Sequence, residues 1–520
     1  MPERLTKNTA ALPLNEPIDN AAPIGEVNGR TPSTLGLTPS SVALALVVFA
    51  IIWISAISLT SLSPPVDNME QLTWVRSLEW GYYKHPPLPT WLIWLPVKAF
   101  GISAWASYLM GGVMTLGAMA IMWRLLVTLR GSAFADLALL SALCITYYNG
   151  RLYYYNHNVV LLFMSAASAA LLWQAYSTRH LRWWIALGMA IGLGALTKYQ
   201  IAVTILSGLV FLCSQRAWRD PAHRLGLLCA GLTGLLIFVP HIAWLNDHDF
   251  GPISYAVDSS LGANLGAVTR IKQTWVWLTN QLLTRAAPAF VLLAVAAWQL
   301  RTLGPANGTH LEVKDVSPRD PARALIFAWG ALPLCLVSFV SLFFGADLKG
   351  HWGTPFLIFV VPAAMELAPR GFWDRCHWRK VLWAFLVIQG LLQIWNYRTS
   401  LKAPAPFSTH HWRNFDSGAY EKSVGEPARA ELGGPIRVVI GGYQEAVTLA
   451  YQLAEKPLVL IDGRMDRSPW VSSGMIERCG AVEVGATNAL EGAKTLGPML
   501  PGLSWRVRMP EPSAAPCELK

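Results

Sequence analysis

Two carboxylates, an amine and an imidazole lie within one short stretch: Asp67-Asn68-Met69-Glu70, then Trp80-Gly81-Tyr82-Tyr83-Lys84-His85-Pro86-Pro87-Leu88-Pro89. A carboxylate such as Asp67 can take the proton from an attacking hydroxyl, and Asp67, Glu70 and His85 are also donor types that a divalent cation takes. The spacing has a plainer use as well. Asp67 and Glu70, three apart, suit the start of a helix over residues 71–80, Asp67 accepting from first-turn amides and Glu70 reaching back. His85 before two prolines could equally do no more than end a helix and shape a turn. Further along come Arg151 within a tyrosine-rich outer hairpin over 147–158, the tight segment Thr197-Lys198-Tyr199, and Lys349-Gly350-His351. Each of these cations either snorkels to headgroups or holds an anion such as phosphate, and the tyrosines around Arg151 could be an interfacial aromatic belt.

The elements that must position these groups cross a membrane. With 53% hydrophobic and only 14% charged residues among 520, and 24 tryptophans, the chain is too apolar for a soluble globular protein. Apolar runs of spanning length are read at 41–60, 104–129, 133–148, 159–176, 183–197, 199–214, 225–244, 288–300, 325–344, 352–367 and 381–395, about eleven in all. Arg124, Arg130, Arg179, Arg182, Arg216, Arg219, Arg224, the 301–323 stretch and the 370–380 stretch then fall in inner loops, with the amino terminus inside. The net charge of +10 reads as this topology signal plus contact with membrane lipids, so no nucleic-acid partner is called for. On the same topology the carboxylates, histidines and remaining cations named above gather at the outer ends of spans, where ionisable groups are costly unless they are paired, solvated or used.

Residues 1–40, rich in Pro, Asn, Thr and Gly, read as a disordered cytoplasmic tail, and the first span as a signal anchor without a cleavage site. Residues 41–397 form the transmembrane part, with the outer loop 61–103 holding the first cluster. From 398 to 520 the pattern becomes that of a small outer α/β domain: strands at 437–440 and 458–461, and a helix at 445–455 between them. Gly441-Gly442 lacks the spacing of a dinucleotide fingerprint and reads as a strand-to-helix turn. Cys144, Cys213, Cys229 and Cys335 fall within spans, whereas Cys479 and Cys517 would face the oxidising side, where they could pair. Asn307-Gly308-Thr309 is formally a glycosylation sequon but falls in an inner loop.

An acidic motif just after the first span, a Gly81-Tyr82-Tyr83 run closed by His85-Pro86-Pro87, and Lys198-Tyr199 resemble the polyprenyl-phosphate-sugar glycosyltransferases of the GT-C type. That class includes protein O-mannosyltransferase-like and lipid A aminoarabinose transferase-like enzymes. The resemblance runs over about residues 65–367 and implies a polytopic α-helical membrane protein carrying a small periplasmic α/β domain. It further implies transfer of a sugar from polyprenyl (undecaprenyl) phosphate to an envelope lipid, glycan or protein, at a site facing the periplasm from the bacterial inner membrane. Under it Asp67, Glu70 and His85 are catalytic, and Lys84, Arg151, Lys198, Tyr199, Lys349 and His351 bind substrate or phosphate. A divalent metal is the one cofactor to be expected, with Asp67, Glu70 and His85 as its candidate ligands. Two departures stand out: Asn68 follows Asp67 where the family usually has Glu, and Asn156-His157-Asn158 occupies a span start where many relatives carry Asp. The alternative class is a transporter or flippase of a lipid-linked or anionic solute, since charged residues in a multi-span protein can line a path.

Overall fold

The structure, a computed structural model, describes residues 35–301, 320–400, 412–486, 490, 492–497 and 502–517. The tail up to residue 34 and the Asn307 sequon lie outside the described residues. Four helices are long and apolar enough to cross a bilayer: Pro39–Leu59, Ala104–Arg130, His157–Thr178 and Pro221–Asp247. Two bent pairs, Ala267–Arg285 with Ala287–Leu300 (55°) and Pro321–Gly330 with Leu332–Phe344 (40°), bring the number to six, and Ser132–Leu143, Leu181–Ala195 and Ile201–Ser214 are shorter apolar helices. In the two inner helices, Ala104–Arg130 and His157–Thr178, 56% and 61% of the most apolar stretch is buried, against 33% for Pro39–Leu59 and 22% for Pro221–Asp247. The second pair therefore faces lipid. Close packing of Leu181–Ala195 on Pro221–Asp247 depends on small residues: a Cβ on Gly188 would sit 2.4 Å from the Ala230 carbonyl oxygen.

The described chain departs from a set of about eleven regular spans in three places. The expected span 352–367 is no continuous helix; it is two 3-10 turns, Gly350–Gly353 and Leu357–Phe359, followed by the short helix Val360–Met365. Gly353, Pro355 and Pro362 interrupt the run. Irregular backbone survives at this depth only where protein satisfies it. Here side chains do so: Tyr147 and Gln281 donate to the Gly350 carbonyl, Gln200 to that of Trp352 and Tyr148 to that of Thr354. The expected span 133–148 stops as a helix at Leu143, and 144–156 is turn-rich. Its Tyr147, Tyr148, Tyr153 and Tyr155 are buried in the protein, so they are neither a hairpin nor a lipid-facing belt. The third departure is a helix that hydropathy alone passed over, Ala267–Thr279, with Val268, Ile271 and Trp275 exposed along it.

The carboxyl-terminal region forms a five-stranded sheet in the order β2-β1-β3-β5-β4, with β1 Val438–Gly441, β2 Leu458–Ile461, β3 Ala481–Ala486, β4 Lys494–Thr495 and β5 Leu503–Arg508. β1 runs parallel to β2 and β3, and β5 is antiparallel to β3 and β4. Helix Tyr443–Gln452 makes the crossover from β1 to β2 that parallel pairing requires, and Gly441-Gly442 turns the chain into it. Cys479 and Cys517 form a disulfide. The domain does not stand apart. Met69, Trp74 and Tyr82 of the first outer loop share one apolar core with Tyr420, Val447, Leu449 and Val484.

Candidate active site

Helix Val66–Trp74 carries Asp67 on its first turn, with Pro65 at the cap position and no side-chain cap. The capping alternative does not apply. Asp67 Oδ2 instead accepts from Asn156 Nδ2 at 2.9 Å, and Glu70 Oε1 meets Lys84 Nζ at 2.6 Å. Asn68, the departure from the family motif, is fully buried and acts as a staple: its amide donates to Ser107 and to the Tyr153 carbonyl and accepts from the Tyr155 amide at 2.9 Å. A glutamate could not donate there. Asn68 thus fixes the helix bearing Asp67 against the loop bearing Asn156.

The aromatic stretch beyond it closes on itself. Trp74 stacks on Tyr82 at 4.7 Å, and Tyr82 and His85 exchange backbone hydrogen bonds of 3.0 and 3.2 Å, a turn that presents Lys84 and His85 side by side. A Cβ on Gly81 would lie 2.4 Å from the Trp244 ring, so only glycine lets this turn approach the Pro221–Asp247 helix. Leu88 N donates to the Leu196 carbonyl at 2.8 Å, tying the His85-Pro86-Pro87 turn to the 197–199 segment. There Lys198 Nζ donates to Asn158 Oδ1 at 2.6 Å. Tyr199 hydroxyl pairs with His241 Nε2 at 2.9 Å, and His241 Nδ1 with the Trp80 carbonyl at 2.6 Å, so His241 packs as a satisfied core histidine.

These elements enclose one cavity of about 520 Å³. Asp67, Glu70, Lys84 and His85 line it, as do Lys198, Tyr199, Lys349 and His351, contributed by segments far apart in sequence. Arg151 does not; its guanidinium lies over the rings of Tyr147 and Tyr154 instead. Sequence reading singled out Asn156-His157-Asn158 as a departure but gave no role to Asn156 and Asn158, the amides that hold Asp67 and Lys198. It missed Tyr443, whose ring centre is 3.4 Å from Lys84 Nζ and which brings the carboxyl-terminal domain into the wall. Nothing beside Tyr443 in the sequence links it to Lys84. Ala202, Val203, Val337 and Val340 give the cavity an apolar side opposite its polar end.

Burial shapes the charges. It lowers Lys198 to about 8, against the pull of Asp67. It holds His85 well below the ordinary imidazole range, assisted by His157 and Lys198, and lowers His351 to about 4 with Lys198 adding to the effect. Both imidazoles are neutral at pH 7. Burial raises Glu70 against the pull of Lys84; it would lower Lys84, but the Glu70 carboxylate and the rings of Tyr83 and Tyr443 outweigh it and keep the amine charged. Lys349 pairs with Asp347 at 2.5 Å and is about half-buried.

Among the described residues no three His, Cys, Asp or Glu side chains converge so as to hold a metal ion. Glu70 is engaged by Lys84, and the His85 ring packs on that of His157 at 4.1 Å. The trio Asp67, Glu70 and His85 therefore does not fit a metal, and no step below is routed through one.

Helices bent and broken around one cavity, with a small α/β domain contributing Tyr443 to its wall, make a fold that has solved counterparts. One of them is ArnT from Cupriavidus metallidurans, determined bound to undecaprenyl phosphate, which matches 90% of this chain and 98% of its own at TM-score 0.57 and 14% identity. The apo form gives TM-score 0.59 at 13% identity. Residues 84–244 match the family model described as dolichyl-phosphate-mannose-protein mannosyltransferase. Among curated relatives, the lipopolysaccharide core galacturonosyltransferases RgtB and RgtA of Rhizobium johnstonii are 26% and 23% identical over 58% and 63% of this chain. The matched region spans only 60% and 63% of the length of those two relatives.

Proposed function

We propose that this protein is a glycosyltransferase that moves a sugar from a polyprenyl phosphate, such as undecaprenyl phosphate, to a lipopolysaccharide, lipid A or similar envelope acceptor. The observation that carries it is the pairing of opposite charges across one amphiphilic cavity. Asp67 and Lys198 are each held by a neutral amide, Asn156 and Asn158, two residues apart on one helix start. A cation without a carboxylate bonded to it suits a phosphate, and the apolar side suits the first isoprene units. In the reaction the acceptor hydroxyl oxygen attacks the anomeric carbon, the bond from that carbon to the phosphate oxygen breaks, and its electron pair leaves with polyprenyl phosphate. Lys198 stabilises the charge that develops on the phosphate. The hydroxyl proton passes to Asp67. His85, neutral and facing the cavity, and Lys84, held by Glu70 and Tyr443, shape the sugar pocket. Similarity to the galacturonosyltransferases and to ArnT supports the donor and acceptor classes.

The same reading places the protein in the inner membrane with the cavity and the carboxyl-terminal domain on the periplasmic side. Supporting this are the Cys479–Cys517 disulfide, which suits an oxidising compartment, and the basic residues gathered at the opposite face. The test is purified protein in vesicles, supplied with labelled polyprenyl-phosphate sugar and acceptor. Stoichiometric release of polyprenyl phosphate with glycosylated acceptor is the expected result. Intact donor on the far leaflet, with no free polyprenyl phosphate, would replace the transferase with a flippase.

A further inference from the structure

The irregular segment from Lys349 to Thr354 has two sides. Toward the cavity it presents Lys349 and His351. On the other, its Gly350 carbonyl accepts from Tyr147 at 2.5 Å and Gln281 at 2.9 Å. The buried Tyr147 ring receives two guanidiniums, Arg285 Cζ at 4.9 Å and Arg151 Cζ at 5.7 Å from its centre, and Arg151 also lies 5.3 Å from that of Tyr154. Of the other partly buried arginines, Arg130 reaches Asp320 and Glu366, and Arg429 reaches Glu421 and Glu455, while Arg413 is held by the neutral groups of Ser61, Asn396 and Thr60. Arg151 and Arg285 form no ion pair among the described residues, although the charge of Asp67 acts on Arg151. Arg285, which Tyr147 also hydrogen-bonds, keeps a buried Nε without a partner. An aromatic face attracts a cation but supplies no full counter-charge, so two like charges remain gathered on one ring.

Their surroundings narrow what the counter-charge is. Arg285 stands at the 55° elbow where Ala267–Arg285 meets Ala287–Leu300. Its carbonyl is bonded to the Thr146 amide. The helix leading into the elbow exposes Val268, Ile271, Trp275 and Leu283, an apolar side that lipid chains can cover. Two planar guanidiniums beside that apolar side, separated from Lys198 by the 349–354 segment, match an oxyanion on a lipid-anchored molecule, bound bidentately.

We propose that Arg151 and Arg285 form an oxyanion site for the acceptor, taking a phosphate or carboxylate on an anionic glycolipid while Lys198 takes the donor phosphate. This rests on the transferase reading and adds the acceptor's charge to it. The site orients the glycolipid so that its hydroxyl, on the cavity side of the segment, reaches Asp67.

The test uses the full chain in nanodiscs of uncharged lipid, without donor. The probe is a lipid A–core glycolipid, offered intact and with its phosphates removed and carboxylates esterified. Wild type should prefer the intact probe by about tenfold or more, the scale of a charge-assisted contact. Arg285→Gln should erase the preference by weakening only the intact form, and Arg285→Lys, which keeps charge and bulk but not the fork, should restore part of it. In transfer assays the glutamine variant should show a higher KM for acceptor with donor KM unchanged. Equal affinity of wild type for both probes, equal weakening of both probes in the variant, or loss of the preference when ordinary anionic phospholipid is added would each overturn the site. If wild type released no polyprenyl phosphate the transferase reading would fail, and the donor-free binding comparison would still decide whether the arginines hold an anion.

Discussion

Around Arg130 and in the cavity this protein buries charges in opposite ways. Arg130 is clasped by Glu366 at 2.5 Å and Asp320 at 2.6 Å, and Arg370 joins Asp320 at 2.7 Å. Every member meets its opposite directly. In the cavity Asp67 and Lys198 are instead each bonded to an asparagine, which satisfies their hydrogen bonding without cancelling their charge. The lesson concerns purpose: charges that neutralise each other fix helices in place, whereas charges held by amides stay available to a ligand. Lys84 with Glu70 follows the pattern of Arg130 although it lies in the cavity.

Substitutions can break or sharpen this contrast. The largest effect is expected at Asp67. Asp67→Asn keeps the volume but loses the base, so transfer should fall by roughly a hundredfold or more while membrane levels and Tm hold. Normal turnover in this variant would reduce Asp67 to a structural acid. Lys198→Ala removes a charge-assisted contact of about 1.5–3 kcal/mol, which raises the donor KM by roughly ten- to a hundredfold and leaves acceptor KM alone. A shift in both constants would mean that Lys198 shapes the cavity without holding the phosphate.

Arg130→Ala should act differently, leaving two acids without their cation at a cost of up to about 3–5 kcal/mol in stability. Thermal unfolding should shift downward while the donor KM of surviving protein stays at the wild-type value. A milder lever is pH. Burial lowers Lys198 to about 8, so its charged form is present below that pH and is lost above it. Donor KM should therefore climb as pH passes from 7 to 9, and Lys198→Arg should flatten the profile; a rise of the same size in both proteins would assign it to another group. Smallest of all, Lys349→Ala breaks a half-exposed pair with Asp347, worth at most about 1 kcal/mol, and should change donor KM by less than about fivefold.

Membrane character and the glycine turn of the α/β domain were legible because composition and glycine act locally. The individual charges that line the cavity were legible too, since an ionisable group at a span end is costly and so conspicuous. Arg151 was equally conspicuous, yet it turns to Tyr147 and Tyr154, because sequence gives no direction to a side chain on an irregular loop. The roles of the amides were not legible. Asn68 has its partners 39, 85 and 87 residues later, and nothing local distinguishes an asparagine that staples two segments from one in solvent. Residues 352–367 misled for a physical reason: an apolar run buried in protein has the same hydropathy as one buried in lipid. The helix at Ala267–Thr279 was lost to the reverse effect, since Thr269, Arg270, Lys272, Gln273 and Thr274 interleave its apolar residues and hold its hydropathy below that of a span.

The core that Met69, Trp74 and Tyr82 share with Tyr420, Val447 and Val484 orders the making of the protein. The first outer loop leaves the ribosome early, and the strands and helices that cover its apolar side come last. Until those segments have been made, Trp74 and Tyr82 lack the far side of their core, and the turn that carries Lys84 and His85 lacks part of its support. The site is therefore assembled only when synthesis is nearly finished, so an interrupted chain stays in the bilayer as an inert intermediate that holds no competent centre.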